Sequence, residues 1–532
     1  MKRFLSLFLL LTTALIAMAQ EAYKQKDDHY FNQVVLQVTA PGTLEQAYYN
    51  ASPSSIQGLK VEGPMNEADM RFIASLSAPG NLGSLHSINL HDAQLEHIPD
   101  NCFKGQTYVT NFYFPATLKE IGSFAFAHVG SLQEITLPEG LERIGEQAFV
   151  GTVQTKNLVI PASVVQIGDG AFAHLKKAVS VSVAAGNPAF KVDNGLLIDL
   201  RTNRLLQCFV YRTGELDLPG TLESIGGLAF GTASKLTSIH IPASIKEIGE
   251  DAFAATYALA SIEVETASEH FVSVDGVLFN KAQTTLICYP TSKHGTTYTV
   301  PATVRELATG AFQECGGGNA YKDIKKSSEK RKVALAHIRL PEGLEKMGKY
   351  AFTYTGVADI NIPKTVREIG KECFYYSDIE TIEVPEGVTR IEDGTFAYCY
   401  SLETLSLPST LRHIGAKVFC MDDRMTTLNI SAQTPPTLDD ETFNLLGATL
   451  ALHVPKGSKK AYERAAGWSD FSFDSIEDDL KVVTALQTVP QAQAEAVEVA
   501  RYNLSGCRLS APERGVNLVK MSDGRVKKVL VE

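Results

Sequence analysis

Apolar positions along this chain recur in a fixed phrase. LPEGLERIGEQAF at 137–149 returns as IPASIKEIGEDAF at 241–253 and as LPSTLRHIGAKVF at 407–419. Aligning the copies gives one template, Leu-x-x-Ile-x-Leu-Pro, then a short spacer, then Leu-x-x-Ile-Gly-x-x-Ala-Phe. Pro115, Pro138 and Pro161 are spaced by 23 residues, Pro219 and Pro242 by 23, and Pro341, Pro363, Pro385 and Pro408 by 22, 22 and 23. A fixed period of this length marks a stack of equivalent storeys.

Each part of the phrase predicts an element. The alternation that closes Leu-x-x-Ile-x-Leu predicts a short strand with apolar side chains inward and polar ones outward. Proline then ends the strand, having no N–H to give a ladder. Ile-Gly predicts a corner, where glycine tolerates the angles of a tight turn. Ala-Phe predicts the opening of a short helical turn whose ring fills the space between storeys. A single unit cannot bury its apolar face, so neighbours must stack. The expected fold is a solenoid over 85–455, with one long parallel β-sheet and short helical or turn segments on the opposite face.

Three stretches depart from the period. Segments 187–218 and 268–300 predict inserted hairpins, with Asn194-Gly195 and Asp275-Gly276 at turns or bulges. Asp193 and Asp275 lack the alternating carboxylates of a calcium loop, so a turn is the reading. The third, 314–334, is Gly-rich and then basic, carrying Lys322, Lys325, Lys326, Lys330, Arg331 and Lys332. It is either a solvated loop or a docking loop for an acidic partner.

The ends break the pattern, as capping units must. Lys2 and Arg3 precede an apolar run closing in Ala17-Met18-Ala19, which predicts a secretory signal peptide over 1–19 with cleavage before Gln20. That apolar run is short for a membrane span, and no comparable run follows, so no transmembrane segment is expected in the mature chain. Residues 20–84 are expected to form an N-terminal cap with a short helix at 69–76. Residues 456–477 are expected to form the C-terminal cap, where Tyr462, Trp468 and Phe471 cover the last storey. A linker over 478–498 and a small β-module over 499–532 complete the organisation.

Composition narrows the function. A net charge of −11, with no basic face in the repeats, argues against nucleic acid. The eight cysteines suggest disulfides in an exported chain. Their positions do not: Cys102 and Cys373 share the slot before the Phe, while Cys315 and Cys399 share the slot three after it, on storeys too far apart to bridge. They read as buried thiols, and no Cys/His spacing suits zinc. No nucleophile elbow, zinc-protease helix or phosphate loop is present, so neither catalysis nor a cofactor is expected.

What remains is surface. The outward position before the last strand Leu reads, rung by rung, from Asn89 through Tyr113, Asp217, His240, Glu263, Arg339 and Glu383 to His453. The column two residues earlier includes Glu134, His337 and Asp359. At the spacing of neighbouring strands these rungs form a polar ribbon about 70 Å long. The candidate partner-binding residues are Tyr113, Glu134, Asp217, His240, Glu263, His337, Arg339, Asp359 and Glu383. Outward strand positions are polar in any soluble sheet, so the ribbon is either a binding face or only a solvated one. Few aromatics lie along it, which disfavours a sugar-stacking groove there.

The phrase at 137–149, repeated over 85–455, resembles the BspA-like leucine-rich repeats of exported Bacteroidetes proteins. The ending from Val454 through Gly467-Trp468 to Phe471 is similar to that family as well. The resemblance implies a leucine-rich-repeat solenoid at the cell surface or secreted, binding host or bacterial macromolecules, with no catalytic residues. Tyr502-Asn503-Leu504-Ser505-Gly506 through Val531 is similar to C-terminal sorting modules of type IX secretion, though shorter than a full one. The functional expectation is therefore a monomeric, exported protein, outer-membrane-associated or secreted. It would bind an extracellular protein or glycoprotein in adhesion; the alternative is a structural spacer of the envelope.

Overall fold

The computed structural model describes residues 33–53, 56–78, 85–152, 157–175, 180–209, 213–315, 335–446 and 450–481, and in the tail 498–502, 508–509, 511, 514–521 and 526–531. Two units are distinct, 1–480 and 481–532. The first is the solenoid. In the second, strands Glu498–Tyr502, Arg508–Leu509, Gly515–Met521 and Val526–Val531 form one antiparallel sheet.

The predicted strands form where the alternation placed them, with Ile or Leu inward: Ile239, Ile262, Leu405 and Leu428 are fully buried. They pair in parallel with their counterparts one storey on, as Asp217↔His240↔Glu263 illustrates. The long parallel sheet runs along the solenoid as a succession of blocks. This wall is cut into blocks that include Asn157–Ile160 with Ser180–Val183, Gly214–Asp217 through Ser261–Val264, and Thr297–Thr299 through Asp359–Ile360. The inserted hairpins cause two of the cuts. Phe190–Asp193 and Leu196–Asp199 stand between the first two of these blocks, and Phe271–Val274 and Val277–Asn280 between the next two. Asn194 and Gly195 (φ 49° and 80°), like Asp275 and Gly276 (φ 50° and 73°), make the two-residue turns expected of them.

The opposite side differs from expectation. The x-Ile of x-Ile-Gly is a two-residue strand, not a corner, and it builds a second parallel wall: His97↔Glu120↔Arg143↔Gln166 is one ladder of it. Glycine follows for space rather than for angle. A Cβ on Gly145 would lie 2.4 Å from Ser123 N, and one on Gly370 2.5 Å from Lys349 N. Real Cβ atoms do not approach backbone so closely, so at these two positions only hydrogen fits, whereas Ala308, Glu392 and Asp439 fill the slot on other storeys.

The Ala-Phe segment is a run of turns, not a helical turn. Between Leu76 and Lys459 no helix occurs among the described residues. Phe124, Phe126 and His128 donate their N–H groups to Glu146, Ala148 and Val150 of the next storey at 2.9, 2.8 and 2.7 Å, while Ala125 and Ala127 close turns on Gly122 and Phe124. This zigzag places a left-handed residue at the second and sixth positions after the glycine, such as Phe124 (φ 57°) and His128 (φ 60°). The phenylalanine rings do fill the interior. Phe126 and Phe149 stack at 5.3 Å, Phe352 and Phe374 at 5.4 Å, and Tyr289 of the second insertion extends the ladder onto Phe312 at 5.3 Å.

At the N-terminal end the sheet begins inside the expected cap. Strand Gln33–Gln37 pairs in parallel with Gly58–Pro64, which pairs in turn with Ser87–Asn89. The expected helix is Glu67–Leu76, capped by Asn66. The buried Asp69 carboxylate accepts the N–H groups of Gly42 and Leu44 and ties the preceding loop to this helix. At the other end Trp468 is 1% exposed and donates its Nε1–H to the Pro436 carbonyl at 2.8 Å. Tyr462 likewise donates to Ala432. Strand Ser475–Leu480 adds one more rung and runs through the expected boundary between cap and linker. Seven cysteines, from Cys102 to Cys420, are buried thiols; Cys507 lies outside the described residues.

Candidate binding surfaces

Along the first wall the candidates divide into two groups and several exceptions. Asp217, His240 and Glu263 sit opposite one another on adjacent strands and are exposed. Asp217 lies 3.1 Å from His240 Nδ1, and Ser261 donates its hydroxyl to the Glu263 carboxylate. Beyond the second hairpin, His337 and Arg339 are exposed on one strand, with Asp359 in register beside His337; the Asp359 side chain lies outside the described ones. Glu383 is exposed at the start of the last block.

Two candidates fall away from the ribbon. Tyr113 occupies the outward column, yet is only 8% exposed, and Ser87 and Asn89 on neighbouring rungs are buried at 4% and 2%. The N-terminal end of this face is therefore packed over, and the Tyr113 ring is not presented to solvent. Glu134 is exposed, but its storey carries no strand on the first wall. The basic residues Lys322, Lys325, Lys326, Lys330, Arg331 and Lys332 lie outside the described residues.

The second wall holds a surface that the sequence reading missed. Its short strands carry ladders of charge that pair between storeys: Glu120 with Arg143 at 3.0 Å, and Glu306 with Lys346 at 3.0 Å. Two grooves run along it, of about 800 Å³ and about 910 Å³. Asp251 lies in both, half-buried, and its pKa is pushed up to about 7, by burial first and then by the Glu314 and Glu250 carboxylates. Asp169 crosses the first insertion, accepting the Gly227 N–H at 2.9 Å and binding Arg204 at 2.6 Å. These contacts join storeys and use up the charge they bring together. Reading x-Ile-Gly as a corner hid this wall, although its charged x position recurs with the repeat. Among the described residues no His, Cys, Asp or Glu converge as metal ligands would, and no helix is long and apolar enough to cross a membrane.

No curated protein matches the chain. Solved structures do resemble it. The pneumococcal vaccine antigen PcpA is 20% identical, with 85% of this chain and 95% of that one covered and a TM-score of 0.44. A leucine rich cell surface protein from Faecalibacterium prausnitzii is 24% identical over 66% and 86%, with a TM-score of 0.38. A leucine-rich repeat protein from Bacteroides ovatus is 18% identical over 71% and 90%, with a TM-score of 0.22. A family model matches as well: six copies of the BspA type leucine rich repeat region span 81–190, 207–317 and 322–445. With more than half of its length matched, and with the parallel ladders that such repeats require, the chain belongs to the BspA-type leucine-rich repeat family.

Proposed function

We propose that this chain is an exported, surface-associated repeat protein that binds an extracellular protein or glycoprotein through the first wall, and that it acts in adhesion. One observation carries the reading. Asp217, His240 and Glu263 stand in register on three adjacent strands, and the Asp217 and His240 side chains are 86% and 46% exposed. A rigid row of exposed charges fits a large partner, because strands hold it in place without an ordering cost on binding. The expected signal peptide and the sorting resemblance of the tail support export, and the family supports a binding role over an enzymatic one.

A structural spacer is the second reading. It draws on the last block, where Thr381↔Thr404↔Thr427 form a plain polar ladder of the kind any solvated sheet carries. Saturable binding of the purified chain to immobilised matrix proteins or mucins separates the two. Binding that is lost when Asp217, Glu263 and Glu383 are changed to Lys supports adhesion. A folded chain that binds none of them supports the spacer.

A further inference from the structure

On the turn edge, away from both walls, five tyrosines gather. Tyr354, Tyr376 and Tyr398 occupy the same left-handed position on three successive storeys, with φ of 58°, 57° and 61° for Tyr376, Tyr354 and Tyr398. Other storeys place Gly105, Gly151, Ala255, His128, His174, Glu314 or Met421 there, so the angle belongs to the repeat. What is particular here is that three successive storeys carry tyrosine in this slot and so assemble one surface. Tyr354 and Tyr376 lie 5.0 Å apart, and Tyr376 and Tyr398 stack at 5.0 Å and 7°. Tyr375 packs beside them, 5.2 Å from Tyr398. Tyr400 stands across the stack at 77° to both Tyr376 and Tyr398, 36% exposed, with its hydroxyl 3.3 Å from that of Tyr376.

We propose that this tyrosine ladder is a binding platform for a neutral, extended glycan. The open edges of the stacked rings and the exposed Tyr400 phenol offer apolar contact to the C–H surfaces of a sugar, and their hydroxyls meet its hydroxyl groups. The storey rise sets a ring spacing close to the advance of one hexose unit along an extended chain. The nearby cation Lys417 is held by Glu441 at 3.0 Å, and Asp423 is exposed beside Tyr400, so an anionic polymer is not favoured. The platform does not depend on the first-wall reading, since none of its residues lies on that wall.

The test is affinity electrophoresis and calorimetry of the purified chain with cellohexaose, mannohexaose and chitohexaose. The expected result is saturable binding of at least one, weakened at least tenfold in Tyr400→Ala, with an unchanged melting temperature. Tyr376→Phe keeps the rings but removes the hydroxyl pair, and is expected to weaken binding less. If none of the three sugars binds, or if Tyr400→Ala binds as tightly as the parent, the proposal is overturned and the tyrosines only stabilise the stack. Retardation by a proline-rich peptide alone would overturn it too.

Discussion

Gly145 packs so closely on the preceding storey that a Cβ would stand 2.4 Å from the backbone nitrogen of Ser123. The neighbour is backbone and cannot swing aside, so the storeys would have to part. Gly145→Ala should therefore destabilise the chain by about 1–3 kcal/mol, as overpacking does. Gly220→Ala is the control: nothing lies within 4 Å of its added carbon, and its effect should stay within about 0.5 kcal/mol. Urea denaturation followed by circular dichroism measures both.

The left-handed positions predict a second pair of outcomes. Gln147 has φ of 50° and donates its N–H to Asp169 of the next storey. Glycine takes this angle freely, while a β-branched side chain does not. Gln147→Val should be less stable than Gln147→Gly by about 1–2 kcal/mol, the cost of a left-handed residue with a Cβ. The reverse order in thermal melts would mean that side-chain contacts, not backbone angle, govern the turn.

Asp422 occupies a slot that three other storeys fill with threonine. Three residues after the buried Phe, Thr152, Thr256 and Thr355 donate their hydroxyls to that Phe's carbonyl. Asp422 occupies the same slot, fully buried. Its Oδ1 accepts the Cys399 N–H at 2.8 Å and its Oδ2 has no partner. Burial raises its pKa well above the usual range. The folded state thus binds this proton more tightly than the unfolded state does. Stability is greatest below the unfolded carboxyl value of about 4, and falls as pH rises from there toward the raised folded value. Asp422→Asn keeps the shape and removes the charge. It should match the parent at pH 4 and exceed it at pH 8, by about 1–3 kcal/mol.

Trp468 closes the C-terminal end of the core. Replacing it with Ala removes the bond to Pro436 and the edge contact with Tyr462 at 5.1 Å. The loss should be about 3–5 kcal/mol. Amide hydrogen exchange should show protection falling first in strand Ala451–Pro455, since a stack frays from an uncapped end.

Much of this was legible because the repeat writes each rule many times. The alternation around Ile239 or Leu405 gave strand, inward face and partner storey together, and the ring of Phe149 gave the core ladder. The second wall was not legible. A strand of two residues has no period to read, and glycine before a turn looks the same whether it serves angle or space. Only the distance from Gly145 to Ser123 distinguishes them. The cuts in the first wall follow from hairpins whose presence was readable but whose insertion between rungs was not. The burial of Tyr113 depends on packing at the N-terminal end that its own strand pattern does not encode. The tyrosine ladder is written in the spacing, Tyr354, Tyr376 and Tyr398 standing 22 residues apart; that the rings stack on one another and meet Tyr400 is a matter of packing that spacing does not reveal.

The central claim is that the first wall, not the grooved second wall, meets the partner. The most direct measurement compares dissociation constants of three chains for one captured ligand. These are the parent, a first-wall variant with Asp217, Glu263 and Glu383 changed to Lys, and a second-wall variant with Lys346 and Arg390, the latter on the short strand Arg390–Ile391 beside the first groove, changed to Glu. The account predicts that the first-wall variant binds at least tenfold more weakly while the second-wall variant binds like the parent. Loss of binding in the second-wall variant, with the first-wall variant unaffected, would contradict it.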